Sequence, residues 1–139
     1  MASFVTSSPN VSETVSHHLA SLQVSITGEL DKEGQITNFR GIPYATVNER
    51  WTHSTVLNSL PDSFDATDFG PRCVQKSGAV LVTGGENDPT PGDDEFNCLN
   101  LNVTVPTEFL PGRAGGKKGL LPVMVWIHGY VSYSTFYDT

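Results

Sequence analysis

Near the end of the sequence, Val123-Met124-Val125-Trp126-Ile127 form an unbroken apolar run, entered by Pro122 and closed by His128-Gly129. A strand with one wet face alternates apolar and polar residues, whereas a run without alternation asks for cover on both faces. The run therefore predicts an interior strand of an α/β sheet, with strands on either side and helices above and below. Only residues 128–139 follow it, too few for another buried strand and its covering helix. Left uncovered, such a strand is an exposed hydrophobic edge and an aggregation site. The pattern predicts a sheet larger than these residues can build.

Upstream, the chain reads as short strands and turns. Residues 1–21 predict a loosely structured lead-in, and Val11, Val15, His18, Leu19 and the following Leu22 recur near helical spacing and suggest a short helix. Leu22, Val24 and Ile26 then alternate with polar residues up to Thr27. A turn rich in glycine and charge follows, from Gly28 to Gly34, and Ile36 and Phe39 anchor a second alternating run over 35–40. Together they predict a β-hairpin, ended by Gly41-Ile42-Pro43-Tyr44 because proline removes a ladder donor. Residues 45–97 keep no sustained period and predict a long irregular excursion, a feature that is usually functional or packed on a larger body. Leu99, Leu101, Val103 and Val105 restore strict alternation and predict a half-buried strand. The Gly/Lys-rich stretch from Pro111 to Gly119 has no P-loop spacing and reads as a solvated connector.

Charge narrows the partners. The net charge is -7, with only eight Lys and Arg in 139 residues, so nucleic acid and anionic membranes are poor partners. The acidic residues Glu86, Asp88, Asp93, Asp94 and Glu95 lie among Pro89, Pro91 and Gly92. They read as a solvated loop, and no metal-loop spacing is present; neither metal nor cofactor is expected. No apolar run reaches the roughly 18 residues that span a bilayer. No basic and apolar leader opens the chain, so the default expectation is a cytoplasmic protein, with secretion left open. The sequons Asn10-Val11-Ser12 and Asn102-Val103-Thr104 carry little weight without a leader. Cys73 and Cys98 are either free thiols or a bridge, and their spacing decides nothing. The sequence carries no signal for oligomeric state.

Four segments, in order, resemble the N-terminal part of the type B carboxylesterase/lipase family, which includes the cholinesterases and fungal esterases and lipases. Asn38-Phe39-Arg40-Gly41-Ile42-Pro43-Tyr44-Ala45 is similar to the family's F-R-G-I-P-Y-A signature. Phe64-Asp65-Ala66-Thr67-Asp68-Phe69-Gly70-Pro71-Arg72-Cys73 resembles D-A-T-x-F-G-x-x-C. Cys98-Leu99-Asn100-Leu101-Asn102-Val103 resembles the end of E-D-C-L-x-L-N-V, and Leu121 to Gly129 resembles the strand that leads into the oxyanion loop. The resemblance implies the N-terminal part of an α/β-hydrolase fold, a mixed and mostly parallel sheet with small antiparallel strands at its start, carried by residues 22–139. It implies a small carboxylic ester as substrate of a full-length form. It also implies a Cys73–Cys98 disulfide in secreted members, while the missing leader leaves the oxidation state open here.

Acyl transfer in this family resembles Ser–His–acid catalysis with an oxyanion hole, the serine standing in a G-x-S-x-G elbow and the acid and histidine following it in the chain. No G-x-S-x-G occurs in the sequence; Ser77-Gly78 lacks the first glycine, and His17, His18 and His53 lie outside any such pattern. The triad is therefore expected beyond the chain end, and the chain as it stands is expected to be inactive. The oxyanion-loop candidates are Gly129 and Tyr130, with His128 shaping the loop. Where the family has H-G-G-G, this chain reads His128-Gly129-Tyr130-Val131, and Tyr and Val resist the positive φ that glycine accepts. The family's acidic pair before the cysteine is Phe96-Asn97 here. The resemblance implies a structural ion pair between that glutamate and Arg40, so Glu95, one residue earlier, is the expected substitute. Two further readings stand beside the truncated hydrolase: a non-catalytic cholinesterase-like protein that binds a partner, and a small β-rich binding module, which the uncovered final strand disfavours.

Overall fold

The computed structural model describes residues 12–74, 92–111 and 116–127. Its main sheet is built from β1 (Thr14–Leu19), β2 (Val24–Leu30), β3 (Ile36–Pro43) and β7 (Asn100–Pro106), in the order β1-β2-β3-β7 with antiparallel neighbours. Between β3 and β7 in sequence lie β4 (Ala45–Thr46) and β5 (Thr55–Val56), which pair only with each other, and β6 (Ser63–Asp65), which runs parallel to β2. Among the described residues the helical structure is a single 3-10 turn over Thr107–Phe109.

The helix expected around residues 11–22 is not formed. Residues 14–19 pair with β2 from Thr14↔Glu29 to Leu19↔Val24, so order begins inside the segment read as a lead-in. The inward series is Val15, His17 and Leu19, period two rather than 3.6, with a histidine hiding the alternation. The β1–β2 turn also lacks the usual glycine or asparagine. Gln23 takes the left-handed position at φ 54, steadied by its side-chain amide donating to the Ala20 carbonyl at 2.7 Å.

The β2–β3 hairpin forms as expected, with shifted ends. β2 begins at Val24 and runs through Gly28 and Glu29 to Leu30, beyond the expected stop at Thr27. Gly28 belongs in the strand because the Phe39 ring crosses it, and a Cβ there would stand 2.7 Å from that ring. The turn proper is closed by Asp31, whose carboxylate accepts from the backbone N–H groups of Gln35 at 2.7 Å and Ile36 at 2.9 Å. Gly34 supplies φ 66.

β2 and β3 are joined only at Glu29↔Asn38 and Leu30↔Thr37. Beyond that point they part, and residues 63–66 enter the gap. Ala66 donates to the Thr27 carbonyl at 2.7 Å and accepts from the Arg40 N–H at 2.7 Å, so a fully buried alanine completes the ladder on both sides. With no exposed surface at Ala66, a larger side chain there would have to displace its packed neighbours. The core is Ile26, Phe39, Ala66 and Leu110, with Val15, Leu19, Ile42, Phe64 and Val105 packed around it. Thr37 and Thr107 are buried together, and their hydroxyls pair at 2.9 Å.

Two expectations at the C-terminal side are corrected. Leu101 and Val103 of β7 are exposed, not half-buried, because no layer covers that part of the sheet among the described residues. The run Val123–Ile127 joins no ladder, and its side chains are 76–88% exposed. The sequence supplies the strand-like apolar residues, but the neighbours on which such a strand depends are not among the described residues. No helix among the described residues is long and apolar enough to cross a membrane.

Candidate functional site

The family-like segments meet around Arg40. The outer face of β3 presents Arg40 toward Glu29 on β2, with Nη1 2.5 Å from Glu29 Oε2 and 2.8 Å from the Thr67 carbonyl that it also donates to. The guanidinium lies over the Phe69 ring, 5.0 Å from its centroid. The expected Arg40–Glu95 pair is absent. Glu95 instead makes a two-pronged contact with Arg50, through Nε and, at 2.7 Å, Nη2. Glu29 lies in a stretch whose glycines and charges predict a turn; as part of a strand paired at Asn38, it comes within reach of Arg40, two residues on.

After Arg40 the β3–β7 register shifts between Phe39 and Ile42. Gly41 forms this bulge at φ 64, and its N–H donates to Asn102 Oδ1 at 2.9 Å. A Cβ on Gly41 would stand 2.7 Å from the Gly70 nitrogen and 2.9 Å from the Asp68 carbonyl oxygen. Phe39-Arg40-Gly41 and Asp68-Phe69-Gly70 thus interlock. Asn100 closes the other side of Gly70, its side-chain amide donating to the carbonyls of Pro71 at 2.9 Å and Cys98 at 3.1 Å.

The loop before β7 is tied at several points. Cys73 and Cys98 are joined by a disulfide, their Cα atoms 4.8 Å apart. Arg72 contacts the Asp93 carboxylate at 2.8 Å, and Val47 N–H donates to the Phe96 carbonyl at 3.3 Å. Asp94 accepts from the Asn97 side chain at 3.0 Å and from the backbone N–H groups of Phe96 and Asn97 at 2.8 and 3.0 Å. These bonds hold its carboxyl below the usual aspartate value, the Asn97 side chain contributing most. The hydrogen bond from Arg50 does the same for Glu95. Asp93, Asp94 and Glu95 therefore each have a separate structural partner. Glu86, Asp88 and Ser77 lie outside the described residues, as do the oxyanion-loop candidates His128, Gly129 and Tyr130. His17 and His18 sit on β1, and His53 is exposed in the β4–β5 loop.

The described residues form a partial, mostly strand fragment whose structural neighbours are esterases of the α/β-hydrolase fold. A thermophilic pNB esterase aligns with a TM-score of 0.51 and 26% identity, covering 66% of this chain and 18% of that one. The carboxylesterase family model matches residues 15–136, and the chain belongs to the type B carboxylesterase family. It is 36% identical over 101 residues to esterase cest-33 of Caenorhabditis elegans, a match spanning 68% of this chain and 16% of the relative. Lipase 1 of Yarrowia lipolytica is 35% identical over 70% of this chain and 18% of its own length. Liver carboxylesterase 1 of Oryctolagus cuniculus is 30% identical over 88% and 21%. The chain thus spans about a fifth or less of the length of these relatives.

Proposed function

We propose that this chain is the N-terminal portion of a serine hydrolase acting on small carboxylic esters, and that the 139 residues have no hydrolytic activity by themselves. One observation carries the reading: Leu121 to Gly129 resemble the family's strand into the oxyanion loop, while no G-x-S-x-G occurs anywhere in the sequence. Family membership supports the ester chemistry. In this reading the sheet continues past residue 127 as a mixed, mostly parallel sheet, with Val123–Ile127 as an interior strand. His128 shapes the next loop, and the N–H groups of Gly129 and Tyr130 face the developing oxyanion. A single such donor is worth about 2.7–4 kcal/mol in a transition state, but without a nucleophile it has no alkoxide to stabilise. The Cys73–Cys98 bridge supports an oxidising compartment rather than the cytoplasmic default.

A second reading, a non-catalytic cholinesterase-like binding protein, is favoured by His128-Gly129-Tyr130-Val131, where side chains replace the glycines of the oxyanion loop. Hydrolysis of p-nitrophenyl acetate tests the inactivity directly. The purified chain is expected to match the buffer rate; saturable turnover above it would overturn the proposal.

A further inference from the structure

We propose that Cys73 and Cys98 form a reversible redox couple whose two thiols are held ready for closure by bonds that involve no sulfur, so that the folded chain templates its own bridge. Their Cα atoms stand 4.8 Å apart across a sequence separation of 25 residues. Each cysteine adjoins an element that the sheet fixes. Two residues after Cys98, Asn100 opens β7 opposite Pro43, and the Leu99 carbonyl accepts from the Tyr44 N–H at 3.0 Å. The segment leading to Cys73 is seated at Asp68 and Gly70, which pack on Gly41.

Asn100 joins the two segments directly. Its side-chain Nδ2 donates to the Pro71 carbonyl, two residues before Cys73, at 2.9 Å and to the Cys98 carbonyl at 3.1 Å. Gly70 leaves room for that amide, since a Cβ there would stand 2.6 Å from the Asn100 Cγ. A second tie lies beside Cys73. The Arg72 N–H donates to the Gly92 carbonyl at 3.2 Å, its carbonyl accepts from the Asp94 N–H at 2.9 Å, and its guanidinium contacts the Asp93 carboxylate at 2.8 Å. The Asp94 carboxylate then sets the turn before Cys98 through the N–H groups of Phe96 and Asn97. None of these contacts uses a sulfur atom.

In a free chain, bringing together the ends of such a loop carries an entropy cost that grows with its length. Groups already placed by the surrounding structure react without meeting that cost again. Glutathione disulfide is the oxidant. One cysteine thiolate attacks it, breaking its S–S bond and releasing one glutathione thiolate; the second cysteine thiolate attacks the mixed disulfide and releases the other. Two electrons pass from the cysteines to glutathione, and the two cysteine protons end on the two glutathione thiols. Coupling between the ties and the bridge is reciprocal, so whatever the ties add to bridge formation, the bridge adds to them.

The couple is independent of ester chemistry, so its failure leaves the functional proposal intact. The full chain is equilibrated in buffers of graded reduced and oxidised glutathione, its thiols are alkylated and counted by mass, and circular dichroism follows the fold. Asn100→Asp, which sets a carboxylate against the Pro71 and Cys98 carbonyls, is expected to lower the equilibrium constant for the bridge about ten-fold. Arg72→Gln, which spares the backbone bonds and so the fold, is expected to lower it about three-fold. Thr37→Val, destabilising but remote from the cysteines, and Lys117→Gln, which breaks an exposed pair elsewhere, are expected to leave it unchanged. Unshifted constants in Asn100→Asp and Arg72→Gln would overturn the proposal. So would an equal shift in Thr37→Val, which would show that the bridge only follows global folding.

Discussion

Glu29 Oε2 and Arg40 Nη1 meet at 2.5 Å across the outer face of the sheet, and this pair, not one reaching to the Cys98 loop, neutralises the arginine. Both side chains are largely covered, at 20% and 29% exposure, so the remaining charge is poorly hydrated if its partner is removed. Glu29→Gln is expected to cost about 2 kcal/mol, read as a lowered urea midpoint at unchanged slope. Glu95→Gln, on an exposed pair, is expected to leave the midpoint nearly unmoved. Equal losses would refute the assignment.

The Gly41 bulge separates two costs that glycine substitutions usually mix. Gly34 and Gly41 share a left-handed φ, but only at Gly41 would a Cβ meet backbone. Gly34→Ala is expected to cost about 1 kcal/mol, the left-handed penalty alone. Gly41→Ala carries a steric cost in addition and is expected to lose at least about 2 kcal/mol in the same denaturation series.

The buried Thr37–Thr107 hydroxyl pair gives a double-mutant test. Either single Thr→Val change strands one hydroxyl and is expected to cost about 1–3 kcal/mol. The double change removes both polar groups and is expected to be milder than the sum, giving a coupling of at least about 1 kcal/mol. Simple additivity would show that the pair does not form.

The loop before β7 is expected to add a small acid-sensitive contribution through Asp94. Its carboxyl is held below the ordinary aspartate value in the folded chain, by the Asn97 side chain foremost. The unfolded chain therefore takes up protons at a higher pH than the folded one, and stability falls as pH drops. The contribution is expected to be complete above pH ~5, to decline through the ordinary carboxylate range near ~4, and to vanish below the folded value. Asp94→Asn should flatten that part of the urea midpoint against pH profile.

Reduction of Cys73–Cys98 opens a loop with a sequence separation of 25 residues. On the chain-entropy model this is worth about 3.5 kcal/mol, so Cys73→Ser/Cys98→Ser is expected to lower the urea midpoint more than any other change considered above. Thiol titration before and after denaturation reads the bridge itself.

The hairpin of β2 and β3 was legible because Asp31 and Gly34 give the turn a chemical signature, and β7 because Leu101, Val103 and Val105 alternate. β1 was not, since His17 breaks its apolar series and Gln23 fills a turn position that usually belongs to glycine. The short β6 has too few residues to show a period; its place follows from Ala66 lying between two strands distant in sequence. At the candidate site, the family resemblance, not local pattern, marks Arg40 as a residue in need of a counter-charge. Its partner was not legible, because choosing between Glu29 and Glu95 depends on strand register, which local patterns fix only weakly. Val123–Ile127 shows the opposite limit: an apolar run states what a segment is suited to, while the ladder it joins is set by neighbours elsewhere.

Whether these 139 residues hold an activated serine is read by intact-mass analysis after treatment with a fluorophosphonate. The unmodified mass of the chain is expected. A single stoichiometric phosphonyl adduct, lost on prior denaturation, would reveal an activated serine and contradict it.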